Sequence, residues 1–212
     1  MDIRKQMEDI YRSMPVDKIP WNRPEPPQIL VDAVESDRIK PCKAVDLGCG
    51  AGNHSIWLAK KGFNVTGIDI SSEAIKIAKK QAEAAEADCR FLMRDLLGDM
   101  SEFNQTFDFA LDWELLHHVF PDDRPKYIEN VHEILKSGGT FFLLGFSEKD
   151  PSFGGEGKFR KTFIGTVLYF SSEDELRALF EPHFNILEME TIEIPGKYGS
   201  HMAIATWLKK SA

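Results

Sequence analysis

Between residues 46 and 53 the chain reads Asp46-Leu47-Gly48-Cys49-Gly50-Ala51-Gly52-Asn53, with three glycines at alternate positions after a short apolar run. Gly48 and Gly50 let a backbone turn tightly and approach a ligand with no Cβ in the way. A helix opening near Asn53 presents free N–H groups to the same spot. The bland alternative is a plain strand-to-helix turn. Dinucleotide enzymes use a related loop, G-x-G-x-x-G, whose third glycine packs a helix beneath a pyrophosphate. Asn53 holds that third position here, which points away from a pyrophosphate and weighs against a nicotinamide oxidoreductase.

Carboxylates recur at matching places downstream. Asp69 precedes Ile70 in Gly67-Ile68-Asp69-Ile70-Ser71 and is set to accept hydrogen bonds from both hydroxyls of a ribose. Asp95 stands in Arg94-Asp95-Leu96, and Asp112 in Asp112-Trp113-Glu114. Asp46, Asp69, Asp95 and Asp112 each stand at or beside the end of a strand-like run, so all four should reach one edge of a sheet. Together they suit a ligand carrying an ammonium, a ribose, an exocyclic amine and a sulfonium, and suit a phosphate-rich one poorly. Leu116-His117-His118-Val119 adds two imidazoles, either of which can accept a proton from a nucleophile or simply orient a loop. His54, His132, His183 and His201 read as structural, with His54 near the ligand. Asp122-Asp123 and Glu114 form no metal-ligand spacing, and no metal is expected. Cys42, Cys49 and Cys89 are isolated and read as small buried residues.

These groups need a scaffold, and the pattern supplies one. Strand-like runs at 44–47, 64–69, 90–93, 107–112 and 140–146 alternate with amphipathic helices, which predicts a parallel sheet with helices on both faces. Ser71 and Ser72 cap a helix over 73–85, with Ala74, Ile75 and Ala78 on its apolar face. Another follows Asp122-Asp123, carries Pro125 in its first turn, and is stopped by Gly138-Gly139. Ser172-Glu173-Asp174-Glu175 is a capping box. Runs at 184–194 and 201–208 are joined by six residues, too few for a parallel crossover, so they form a β-hairpin that adds one reversed strand. Two helices, around 4–12 and 27–36, occupy the first 38 residues, separated by Pro15, Pro20, Trp21 and Pro24. Residues 147–171 read as a long irregular stretch with Gly154-Gly155, Phe153, Phe159 and Phe163. Long connections at this end of a sheet are where ligands bind.

The 212 residues fit one domain, 1–212, and carry a net charge of −8. That balance disfavours nucleic acid as a partner. Lys158, Arg160 and Lys161 form the one basic cluster and read as a solvated face. No apolar run reaches the roughly 18 residues of a membrane span, and the polar start lacks a signal peptide's apolar stretch, so a soluble, cytoplasmic protein is expected.

The segments 45–52, Val65-Thr66-Gly67-Ile68-Asp69-Ile70-Ser71, Asp95, Phe107-Asp108 through Leu116-His117-His118, and Ile134-Leu135-Lys136-Ser137-Gly138-Gly139 together resemble the class I S-adenosylmethionine-dependent methyltransferases across residues 40–210. The resemblance implies a Rossmann-like, doubly wound α/β sheet of seven strands, six parallel and one antiparallel from the C-terminal β-hairpin. It implies S-adenosylmethionine as cofactor and S-adenosylhomocysteine as product. Asp46 and the Gly48-Cys49-Gly50 backbone would hold the methionine end. Asp69, followed by Ile70, would take the ribose, Asp95 and Leu96 the adenine, and Asp112 and Trp113 the methionine side below the sulfonium, with Asn53 at the loop's end. Ile19-Pro20-Trp21-Asn22-Arg23-Pro24-Glu25-Pro26-Pro27 is similar to the Trp-Asp-x-Gly-x-Pro-x-Pro entry segment of the branch that methylates thiols, thiopurines, halides and oxyanions such as tellurite, in which the tryptophan covers the cofactor. Asn22 stands where that pattern has Asp, and no glycine follows.

The expected reaction is in-line methyl transfer to sulfur, nitrogen or oxygen of a small molecule, with Trp21 and residues 147–171 as the lid and His117 or His118 as base. A protein or RNA methyltransferase and a non-catalytic cofactor-binding module are the alternatives. The oligomeric state is left open by the sequence.

Overall fold

The computed structural model describes residues 3–153 and 156–211. In chain order the elements are α1 (Ile3–Ser13), α2 (Gln28–Glu35), β1 (Lys43–Leu47), α3 (Asn53–Lys60), β2 (Asn64–Asp69), α4 (Ser72–Ala84), β3 (Cys89–Met93), β4 (Phe107–Trp113), α5 (Arg124–Ile134), β5 (Leu135–Phe146), β6 (Phe159–Lys161), β7 (Val167–Tyr169), α6 (Glu173–Phe180), β8 (Phe184–Gly196) and β9 (Gly199–Lys210). Seven strands form one sheet in the order β3-β2-β1-β4-β5-β9-β8, and β6 and β7 pair separately. β9 is antiparallel to both β5 and β8, so six strands run one way and β9 alone runs against them.

Both faces of the sheet are covered, and the strands show it. Val45, Leu47 and Leu143 point to the side packed by Tyr127, Ile128 and Val131 of α5. Ala44, Phe109, Phe142 and Trp207 point to the other, against Leu30 of α2 and Leu58 of α3. Alternate residues bury on opposite faces, so the central strands carry apolar residues on both, with Asp46 and Asp112 as buried exceptions. The chain runs β1-β2-β3 one way across the sheet and then returns to β4 beside β1. That reversal opens a crevice at the carboxyl ends of β1 and β4, where α/β sheets bind ligands.

Three details depart from the sequence expectations. α5 ends at Ile134, and β5 begins at once, since Leu135 pairs with Phe107. The ladder resumes only at Phe109 with Thr140, and Gly138, at φ +69°, makes the bulge between instead of stopping a helix. The stretch after β5 is less irregular than its composition implies, because residues 159–169 fold into the β6–β7 hairpin. Its Gly154-Gly155 lies outside the described residues. The β8–β9 ladder extends to Gly196 opposite Gly199, leaving Lys197 and Tyr198 as a two-residue turn. The capping box at Ser172 forms as read, with Glu175 N donating to Ser172 Oγ at 3.2 Å and Ser172 N to Glu175 Oε2 at 2.9 Å.

Candidate active site

The glycine loop after β1 is held from below and from above. The Cys49 N–H donates to the Ile68 carbonyl at 3.0 Å, tying the loop to β2. The Gly50 N–H donates to Asp69 Oδ2 at 2.9 Å, and the Ser71 N–H to Asp69 Oδ1 at 2.8 Å. Burial pushes the Asp69 carboxyl upward, and these two N–H groups oppose it. Above the loop, the Tyr11 hydroxyl of α1 sits where a Cβ on Gly50 would stand, 2.5 Å away. Trp21 Nε1 donates to that hydroxyl at 2.8 Å. Beside this contact opens a cavity of about 350 Å³, lined by Trp21, Gly48, Cys49, Gly50, Asn53, Asp69, Ile70, Asp95, Leu96 and Trp113. These ten sequence-derived candidates meet at one place.

Two others do not line it. Asp46 is 1% exposed and accepts from Ser55 Oγ at 2.6 Å. Burial raises its carboxyl to about 6. It fixes α3 to β1 from behind the loop, because a strand residue one place before Leu47 faces α3, away from the ligand edge. Asp112 is fully buried, and its side chain turns inward as well. Its Oδ1 accepts from the Leu115 and Leu116 N–H groups at 2.8 and 3.3 Å, and its Oδ2 from the Tyr127 hydroxyl at 2.8 Å. Burial outweighs these bonds and raises its carboxyl to about 7. Asp112 shapes the turn after β4 that carries the histidines.

That turn opens onto a second cavity, of about 250 Å³, which shares Trp21, Arg23, Glu114 and His118 with the first. His117 lines only the second. Its ring stacks flat on Phe146 at 4.3 Å between centroids and 10° between planes. Among the described residues the Nδ1 atoms of His117 and His118 have no hydrogen-bond partner. Burial drives the His117 imidazolium well below its ordinary range and that of His118 to about 4, so both are neutral at pH 7.

Sequence reasoning passed over several wall residues. Glu114 occupies the left-handed region at φ +66°, unusual for a residue with a side chain, and places its carboxylate in the wall common to both cavities. Burial raises it to about 7, with Arg23 pulling the other way. Tyr11 and Met7 arrive on α1, and their i, i+4 spacing with Ile10 was the one available signal. Arg160, read as part of a solvated basic face, is 4% exposed and packs its guanidinium 4.1 Å from the Phe170 ring centre.

The lining fits an adenosyl cofactor better than a phosphate-bearing one. Asp69 spends one lone pair of each oxygen on backbone N–H groups, which leaves others to accept from paired hydroxyls. A pyrophosphate at the same loop would meet the carboxylates of Asp69 and Asp95. Comparison with known proteins agrees. A family model described as a methyltransferase domain matches residues 44–139. An uncharacterized methyltransferase of Schizosaccharomyces pombe is 32% identical over 108 residues, 51% of this chain and 74% of that protein. Among solved structures, a chain from work on the conversion of a disulfide bond into a thioacetal group during echinomycin biosynthesis superposes with a TM-score of 0.83 at 22% identity, covering 99% of this chain and 92% of the other. The 1,6-didemethyltoxoflavin-N1-methyltransferase of Burkholderia thailandensis, with 1,6-didemethyltoxoflavin and S-adenosylhomocysteine bound, gives 0.74 at 20% identity, covering 99% and 88%. The doubly wound sheet with its single reversed strand, the braced glycine loop and the relatives converge: this chain belongs to the class I S-adenosylmethionine-dependent methyltransferases.

Proposed function

We propose that the chain methylates sulfur, nitrogen or oxygen of a small molecule seated in the second cavity. The carrying observation is the common wall: Trp21, Arg23, Glu114 and His118 belong to both cavities, so ligands in the two would be neighbours. S-adenosylmethionine, bound in the first cavity, supplies the activated methyl. The chain's own work is then to hold two ligands in line and keep water out. Asp69 takes the ribose hydroxyls, and Asp95 and Leu96 take the adenine. The Gly48–Gly50 backbone and Trp113 meet the methionine end. Asn53 donates to Asn22 Oδ1 and the Arg23 carbonyl at 2.8 and 2.9 Å, so its part is to strap the lid over the cofactor. The strap through Trp21 and the 147–171 segment form that lid.

A cavity of about 250 Å³ has room for a small molecule. The toxoflavin enzyme of similar fold, crystallised with 1,6-didemethyltoxoflavin, supports the same choice. His117 and His118, neutral and bare at Nδ1, are poorly built to hold a proton, so they serve as walls and as hydrogen-bond partners of the acceptor.

Calorimetry with S-adenosylhomocysteine, followed by a turnover screen of thiols, selenite, tellurite and small amines, tests this reading. Asp69→Ala should abolish cofactor binding and turnover together. Binding without turnover of any small molecule, or methyl transfer only to protein or RNA, would sink it. Retained turnover in both His117→Ala and His118→Ala would leave neither histidine as the base.

A further inference from the structure

One wall of the second cavity has chemistry that the roles above do not use. Asp150, 1% exposed, sits in the segment leaving β5. Its Oδ2 accepts from the Met202 N–H at 2.5 Å and lies 3.4 Å from Nδ1 of His201 on β9. Its Oδ1 accepts from the Ser152 N–H at 2.7 Å and from the Ser152 hydroxyl, and that hydroxyl is 3.2 Å from the same His201 nitrogen. Arg160 clamps the segment by donating to the carbonyls of Glu148 at 2.8 Å, of Ser152 at 3.2 Å and of Asp150. The His201 ring stacks on Phe153 at 5.4 Å and 12°. The other edge of the ring lies over Gly196, where a Cβ would fall 2.7 Å from Cδ2 and 2.9 Å from Nε2, so only glycine fits beneath it. With Nδ1 committed to Asp150 and Ser152, Nε2 is the nitrogen left for a ligand.

His201, which reads as structural from sequence, is thus set apart from the other imidazoles of this cavity. A buried carboxylate behind one ring nitrogen fixes the tautomer, presents the second nitrogen as an acceptor and stabilises the imidazolium that forms. His117 and His118 have no such partner among the described residues. The remaining charged groups at this cavity are engaged or set aside: Lys197 donates to the Ile19 carbonyl at 3.1 Å and to that of Asp17, Arg23 donates to the Pro195 carbonyl, and Glu114 lies in the wall toward the cofactor cavity. Asp150 is the ion-pair partner of the ring.

We propose that His201 is the general base of the acceptor cavity, that Asp150 is its positioning residue, and that the acceptor is a small planar aromatic bearing an ionisable O–H or N–H. This rests on the acceptor role proposed for the second cavity. In the step, the acceptor's O–H or N–H bond breaks, its proton moves to Nε2, and the electron pair left behind becomes the nucleophile. The imidazolium is neutralised by Asp150 and returns its proton to water after the product leaves. The aromatic class follows from the walls, which include the rings of Trp21, Phe146, Phe153, Phe163 and Tyr198.

The test uses the full chain saturated with S-adenosylhomocysteine and 4-nitrophenol as the probe, whose phenolate absorbs visible light and whose phenol does not. Below the pH at which the free probe ionises, the wild type should bind it and show the phenolate band. His201→Asn, His201→Gln and Asp150→Asn should lose the band while keeping their affinity for S-adenosylhomocysteine, which reports an intact fold. A band that persists in both His201 variants overturns the base. A wild type that binds the probe only as the neutral phenol does the same. No binding of the probe overturns the substrate class and leaves methyl transfer to another small molecule standing, whereas no binding of S-adenosylhomocysteine overturns the cofactor site itself.

Discussion

Gly50→Ala probes the roof and the floor of the cofactor cavity at once. Gly50 has φ +52°, a conformation that costs an L-residue about 1–2 kcal/mol. The new Cβ would also stand 2.5 Å from the Tyr11 hydroxyl, with the ring carbon bearing it at 3.6 Å. Tyr11 must withdraw, and the bond from Trp21 Nε1 goes with it, a further loss of about 1 kcal/mol. The sum, about 2–3 kcal/mol, lowers Tm by roughly 4–12 °C for a chain of this size. In a Tyr11→Phe background the hydroxyl and its bond are already absent, and 3.6 Å is ordinary contact. There Gly50→Ala should cost only the backbone strain, about 1–2 kcal/mol. A double-mutant cycle by thermal denaturation therefore reads a coupling of about 1 kcal/mol. Equal cost in both backgrounds would show that α1 is not docked on the loop, and the roof described above would be wrong.

Asp112→Asn leaves one acceptor oxygen for three donors and should destabilise by about 1–3 kcal/mol in urea unfolding. Burial raises the Glu8 carboxyl, but bonds from the Ser72 and Ser71 hydroxyls and the Glu73 N–H outweigh it and hold it at about 2. A carboxyl depressed in the folded state adds stability above its unfolded value, near 4.5, that is lost as pH falls toward 2. The Tm gap between wild type and Glu8→Gln should therefore be widest above pH 4.5 and shrink on acidification; a gap that is flat with pH would refute the assignment. Ser172→Ala removes half of the capping box and should cost about 1 kcal/mol, read in the same unfolding assay.

The ligand edge of the sheet was legible because local signals and topology agree there. Gly48 to Asn53 turn where glycine spacing says they must, and Asp69 ends β2 where the strand pattern stops. What failed was the direction of side chains at strand ends. Asp46, Asp69 and Asp112 look alike in sequence, yet only Asp69 reaches the cavity, since strand alternation turns Asp46 to α3 and the Tyr127 hydroxyl draws Asp112 inward. Gly138-Gly139 misled because glycine serves a helix stop and a bulge equally well. The Asp150–His201 pair was out of reach, as it joins residues 51 positions apart through β9, and no local pattern marks either one.

The clasp over the second cavity has a kinetic consequence. Lys197 reaches Ile19 across 178 positions, and Arg23 reaches Pro195 across 172, whereas Gly50 and Asp69 meet across 19. Contacts between distant positions carry a larger chain-closure entropy and form late. The glycine loop can thus organise as soon as β1 and β2 pair, while the second cavity takes shape only when β8 and β9 have closed the far side of the sheet. Refolding followed with a cofactor probe and with a probe of the second cavity should give two clocks, the first running ahead of the second.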